Sequence, residues 1–231
     1  METPDLSLIL PIYNEGERLK QTANEILSIF KKNGVSFELI IVNDGSTDNT
    51  RRILDELILK DKNISVIHFL TNKGYGAAIL EGIKEAKGNT IGWCDGDGQI
   101  APQEIFNVYS VMESKKARAA KAVRVIRRES LFRKVQSFFF NLIFVLLFGD
   151  TTWDVNAKPK FMRREILKLV TLTNHRYFID AEWVIRLNRA KIPFIEIPIE
   201  FLKRTHGKSK IYVWTSLEFV RDMITYVLRL R

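Results

Sequence analysis

Short β-rich runs at residues 6–11, 37–43, 64–69 and 90–95 alternate with helical patterns through the first half of the chain, and this alternation constrains the fold most. Leu19, Ala23, Ile26, Leu27 and Phe30 share one helical face. So do Ile53, Leu54, Leu57 and Ile58, and then Ala78, Ile79, Ile83 and Ala86. Strands alternating with helices of this length require βαβ crossovers, hence an α/β fold with a largely parallel sheet covered on both faces. Ligands of such sheets bind beyond the carboxyl ends of the strands.

Here those ends read Pro11-Ile12-Tyr13-Asn14-Glu15, Asn43-Asp44-Gly45-Ser46 and Asp95-Gly96-Asp97-Gly98. Asp95 and Asp97 stand one residue apart just after a buried strand, where they can share a hard divalent cation. Gln99 offers a third oxygen. Mg²⁺ or Mn²⁺ held by few carboxylates and completed by water would clamp a diphosphate and stabilise it as a leaving group. The plain alternative is a polar turn whose aspartates cap the next helix. Asp44 is placed to accept hydrogen bonds from a nucleobase or ribose, while Tyr13 offers an aromatic face and Glu15 a carboxylate. Their bland readings are an Asn14 N-cap with Glu15 in the first helical turn, and an Asp48 or Ser46 cap on a helix starting near Asn49. In Asn72-Lys73-Gly74-Tyr75-Gly76 the third glycine of the dinucleotide fingerprint is missing, since Ile79 stands in its place. This run reads as a helix entry with close backbone packing, which can lend Lys73 to a bound diphosphate.

The second half is less regular. A basic stretch leads into an apolar helix at 137–148, then an irregular segment near 150–160, a helix over 178–190 and a strand at 193–199. Beyond Lys210, the positions Val213, Leu217, Val220, Ile224 and Val227 give one last amphipathic helix. Net charge is +9, and it is concentrated. Lys115, Lys116, Arg118, Lys121, Arg124, Arg127, Arg128, Arg133 and Lys134 face Glu129 alone within their stretch. The rest of the chain is close to neutral, which argues for an anionic ligand or lipid headgroups and against a nucleic-acid-binding coat. The lone cysteine, Cys94, excludes an internal disulfide and fits a reducing cytoplasm. The first ten residues lack a basic run and a long apolar stretch, so no signal peptide is expected. His68, His175 and His206 lack metal-ligand spacing, and His68 falls in a strand.

The order P-x-Y-N-E, N-D-G-S-x-D, N-x-G-x-G-x-A and D-x-D-x-Q resembles the inverting family 2 glycosyltransferases of GT-A fold. Spacing and later segments look most like the polyprenyl-phosphate sugar synthases, such as dolichyl-phosphate mannose synthase. The resemblance covers most of residues 4–210 and is looser after residue 120. It implies a Rossmann-like, mixed but mainly parallel sheet, with a catalytic domain over 1–210 and a C-terminal amphipathic helix over 211–231. A donor half would extend to about residue 117 and an acceptor half over 118–210. Pro11, Tyr13, Glu15 and Asp44 would hold the nucleoside of a nucleotide sugar. Asp95, Asp97 and Gln99 would hold the metal. Arg124, Arg133, Ser137 and Asn141 match the family's lipid-phosphate pocket, and Arg204, Ser209 and Lys210 its late loop over the donor phosphates. Where many relatives carry Ser-Gly-Phe, this chain reads Asp154-Val-Asn-Ala-Lys-Pro-Lys160, a departure beside the expected sugar position.

Residue logic supports a lipid-phosphate acceptor independently, and the resemblance implies that this lipid is a polyprenyl or dolichyl phosphate. Arg133 and Ser137 are four apart on a helix, and the chain then turns apolar from Phe138 to Phe148. That run extends about 16 Å as a helix against roughly 30 Å of hydrocarbon, so it would lie in the interface rather than cross it. The expected location is the cytoplasmic face of a membrane, with room for a membrane-spanning partner or a homo-oligomer. A phosphate acceptor is already ionised near pH 7 and needs no strong base. A hydroxyl acceptor would need one, and Asp180 is the candidate. GDP-mannose is the first-choice donor and UDP-glucose or another UDP-sugar the second. The competing readings are a family 2 enzyme acting on a glycan, protein or lipid hydroxyl, a nucleotidyltransferase, and a non-enzymatic membrane- or nucleic-acid-binding module.

Overall fold

The computed structural model of the protein describes residues 3–127, 131–149, 152, 154–201 and 221–228. The first half is a run of crossovers: β1 (Leu6–Ile12), α1 (Gly16–Lys32), β2 (Phe37–Asn43), α2 (Thr50–Ile58), β3 (Ile64–His68), α3 (Tyr75–Glu85), β4 (Thr90–Trp93) and α4 (Pro102–Ser114). Then follow β5 (Ala119–Arg127), α5 (Leu131–Phe148), β6 (Lys160–Arg163), a 3₁₀ turn (Arg164–Lys168), α6 (Ile179–Arg189) and β7 (Ile195–Phe201). The sheet order is β3-β2-β1-β4-β6-β5-β7. β1 pairs in parallel with β2 and β4, β2 with β3, and β5 with β7. β6 runs antiparallel to both β4 and β5, which makes the sheet mixed but mainly parallel.

Central strands read as continuous apolar runs because both of their faces are covered. One core lies under α1, α2 and α4, where Leu19, Phe30, Leu54 and Ile105 meet Leu8, Leu10 and Leu39. The other lies under α3 and α6, where Ile79 and Trp183 meet Ile9, Ile40 and Trp93. Phe144 of α5 and Met223 of a helical segment at 221–228 join this second core. Met223 is fully buried, so this part of the expected C-terminal helix packs on the domain; residues 202–220 and 229–231 lie outside the described part.

Two strands depart from the sequence-based expectation. The middle of the basic stretch is a sheet strand, β5, paired on both sides, and the segment near 150–160 leads into β6. Lys121 and Lys160 are fully buried in these strands, so side chains that look like solvated charge are interior groups.

Candidate donor site

The exits of β1 and β2 are tied to one another. Asn14 takes a positive φ of 52°, its backbone N–H donates to Ser46 Oγ (2.9 Å), and Thr47 N–H donates to Asn14 Oδ1 (2.8 Å). Asn14 is therefore a cross-strand link rather than the expected N-cap, and Glu15, expected in the first helical turn, takes the N-cap position instead. Asp48 accepts from Thr50 N–H at 3.0 Å, so the expected helix-start role falls to Asp48 while Ser46 serves the link. Asp44 is almost fully buried and accepts from the backbone N–H groups of Lys73 (2.6 Å) and Gly74 (3.0 Å to Oδ2). Its carboxylate thus organises the 72–74 loop.

That loop is a packing device, as its glycines suggested. A Cβ on Gly74 would lie 2.7 Å from His175 O, and one on Gly76 would lie 2.2 Å from Asn174 O. Ala77 N–H donates to His175 O (3.0 Å), which satisfies part of the α3 N-terminus with protein backbone. Glu182 of α6 holds the opposing loop through Thr173 and Asn174 N–H. Lys73 is exposed, its ammonium 4.5 Å from the centroid of the Phe69 ring. Pro11, Tyr13 and Glu15 lie half-buried at the β1 exit.

After β4 the chain turns sharply. Gln99 N–H donates to Asp97 Oδ1 at 3.0 Å, and Arg18 of α1 donates to Gly98 O at 2.8 Å. Arg18 is a supporting residue that no motif announced. Asp95 meets Lys158, whose Nζ lies 3.0 and 3.2 Å from its two carboxylate oxygens. Lys158 also approaches Asp180 Oδ2 (3.4 Å) and the Tyr75 ring (4.6 Å). Burial alone would push its ammonium down, but the charges of Asp95 and Asp180 hold it above the ordinary lysine range.

Asp180 is fully enclosed at the start of α6. It accepts from Trp93 Nε1 (3.0 Å) and pairs with Lys160 (3.2 Å) and Lys158. Burial would raise its carboxyl, yet the two ammonium groups and the indole hold it below the usual range. Such an enclosed, doubly paired carboxylate is a poor general base, so the geometry makes Asp180 an internal counter-ion. Lys160 also donates to Val155 O and Ala157 O, and burial pushes it down to about 8 despite Asp180.

Arg124, expected on the acceptor phosphate, makes a bidentate pair with Asp154 at 2.8 and 2.7 Å. Lys121 is held by Glu196 (2.9 Å) and Asp154 O (2.9 Å), and Arg118 by Glu165 (3.1 Å). Part of the apparent charge excess is thus balanced by acids far away in sequence. Arg133 and Ser137 fall on the α5 backbone, but their side chains lie outside the described part. Arg204, Ser209 and Lys210 lie outside the described residues altogether.

Among the described residues no cluster of three His, Cys, Asp or Glu side chains is poised around a metal. The donor set nevertheless fits a hard cation. Asp95, Asp97 and Gln99 follow one another in the turn after β4, and a diphosphate with water would supply the remaining oxygens.

A mixed, mainly parallel sheet of this order, with acidic turns leaving β1, β2 and β4 at their carboxyl ends, defines an α/β domain of the GT-A type. Residues 7–173 match the model described as Glycosyl transferase family 2, and the chain belongs to that family. Two curated relatives are undecaprenyl-phosphate 4-deoxy-4-formamido-L-arabinose transferases. The one from Yersinia pestis is 29% identical, over 95% of this chain and 66% of the relative. The one from Pectobacterium atrosepticum is 30% identical, over 96% of this chain and 67% of the relative. The chain thus spans about two thirds of the length of these relatives. Among solved structures, glucosyl-3-phosphoglycerate synthase from Mycobacterium tuberculosis, in complex with Mn²⁺, UDP and phosphoglyceric acid, gives a TM-score of 0.76. It is 13% identical, covering 97% of this chain and 78% of that one, a likeness that shows the fold.

Proposed function

We propose that the chain transfers a sugar from a nucleotide diphosphate sugar to a polyprenyl phosphate at a membrane surface, with inversion at the anomeric carbon. The observation that carries the donor half is the meeting of the β1 and β2 exits through Asn14 and Ser46, with Arg18 of α1 tied to Gly98 in the turn after β4. Tyr13, Glu15 and the Asp44-organised loop are suited to the nucleoside, and Lys73 to the phosphates. Asp95, Asp97 and Gln99 would hold Mg²⁺ or Mn²⁺, which when bound offsets the charge of the diphosphate leaving group. Arg204 and Lys210 are proposed to close over the same phosphates.

For the acceptor, two curated relatives are named for undecaprenyl phosphate. The enclosure of Asp180 favours an acceptor that is already ionised over a hydroxyl. Phe138, Leu142, Val145 and Leu146 are exposed at i, i+4, i+7 and i+8 on α5, a stripe suited to an acyl-chain boundary. Among the described residues no helix is long and apolar enough to cross a membrane. Arg133 and Ser137 are proposed to position the attacking phosphate, with Arg124 bracing β5 through Asp154. The donor sugar is left to experiment: the relatives' names point to a modified arabinose and lend GDP-mannose no support.

The test is a panel of UDP- and GDP-sugars with undecaprenyl or dolichyl phosphate and Mg²⁺ or Mn²⁺. Transfer is expected to one lipid phosphate and to vanish in Asp97→Ala or with EDTA. Transfer to a neutral glycan with none to lipid phosphate would overturn the acceptor assignment and leave the donor site standing.

A further inference from the structure

Lys158 belongs to none of the motifs that define the donor site, yet its ammonium faces both oxygens of Asp95. It arrives from the segment between Asp154 and β6, and that segment is firmly held. Asp154 is buried on Arg124, and the carbonyls of Val155 and Ala157 accept from the buried Lys160 ammonium. The Tyr75 ring, stacked on Tyr177 at 5.2 Å, flanks the ammonium, and the Lys158 side chain is 11% exposed. The cation is therefore delivered to Asp95 by built structure.

A divalent ion ligated by Asp95 would occupy the carboxylate face that the ammonium now covers, and two cations there repel one another. A nucleotide diphosphate changes that balance. Its oxygens complete the metal's ligand shell, and its negative charge offers Lys158 a second anionic partner. We propose that Lys158 is a resident cation of the donor site that keeps Asp95 from a divalent ion until a nucleoside diphosphate is present, so that metal and donor bind as a unit. The proposal rests on the reading that Asp95 and Asp97 hold the metal. It assigns a role to the Lys-Pro-Lys departure, which the family pattern leaves open.

The experiment measures Mn²⁺ binding to the full chain by electron paramagnetic resonance, without and with UDP or GDP, for wild type, Lys158→Gln, Lys158→Met and Lys158→Arg. Mn²⁺-induced shifts in Tm give a second readout. Wild type and Lys158→Arg should bind Mn²⁺ alone weakly. The two uncharged variants should bind it at least tenfold more tightly and gain more Tm from Mn²⁺ alone. Equal affinity of wild type and the uncharged variants for Mn²⁺ alone would overturn the proposal while leaving the metal site intact. If the uncharged variants do not fold, wild type decides: a Tm gain from Mn²⁺ alone as large as that added by Mn²⁺ on top of UDP overturns it. Absence of Mn²⁺ binding in every variant, with or without nucleotide, would instead overturn the metal reading itself.

Discussion

Trp93 Nε1 donates to Asp180 Oδ1 at 3.0 Å, joining the last residue of β4 to the first turn of α6 directly beneath the D-x-D turn. The same carboxylate balances Lys158 and Lys160. Removing one partner of a buried ionic network strands the others, a loss of about 3–5 kcal/mol. Asp180→Ala is therefore expected to lower Tm by on the order of 10 °C. If Asp180 were instead a general base for a hydroxyl acceptor, the variant would lose transfer with an unchanged melting curve. Calorimetry alongside the transfer assay separates the two.

Lys160 makes stability depend on pH in a stated direction. Its folded pKa lies near 8, below the ordinary value of 10.5, because burial disfavours the ammonium. Below pH 8 the group is charged in both states and the full desolvation penalty applies. Between pH 8 and 10.5 the unfolded chain keeps a proton that the folded chain has released, so stability rises with pH. Relative to Lys160→Met, wild type should gain stability across this window in urea melts. A difference that is flat with pH would show that Lys160 keeps its proton in the fold.

Gly76 tests whether the glycine loop is packing or phosphate cradle. A Cβ there would sit 2.2 Å from Asn174 O and 2.6 Å from Arg176 O, both backbone atoms held by the loop that Glu182 anchors. Gly76→Ala should destabilise by about 1–3 kcal/mol through overpacking. The loss should appear in the absence of any nucleotide. A variant with unchanged Tm but weakened nucleotide binding would instead return the loop to the phosphates.

The crossover half of the fold is legible because each central strand is buried on both faces and each helix shows one apolar stripe. β2 spans Phe37–Asn43, the bounds that the sequence pattern gives. β5 is not legible. Its sequence AAKAVRVIR looks like charge bound for solvent, while the groups that neutralise Lys121 and Arg124 are Glu196 and Asp154, which local composition cannot place. The same limit hides Lys158, since its meaning lies in Asp95 and Asp180 rather than in its neighbours. Asp44 shows the converse. Its position at a strand end is legible, but its backbone partners in the 72–74 loop are not.

The exposed face of α5 carries the membrane prediction. Leu142 and Leu146 are one turn apart and 42% and 75% exposed, while Phe144 on the opposite side is fully buried in the second core. The helix is thus fastened by one face and leaves the other apolar face partly exposed. Moving a leucine side chain from water into an apolar boundary is worth about 1.5–3 kcal/mol, so losing two should weaken attachment by on the order of 100-fold or more. The double variant Leu142→Gln/Leu146→Gln should therefore fail to float with anionic vesicles in a density gradient. Its unfolding free energy should stay within about 0.5 kcal/mol of wild type, because neither side chain fills the core. Unchanged flotation would move the membrane face elsewhere on the molecule. A large drop in Tm would mean that the stripe is covered within the chain and faces no lipid.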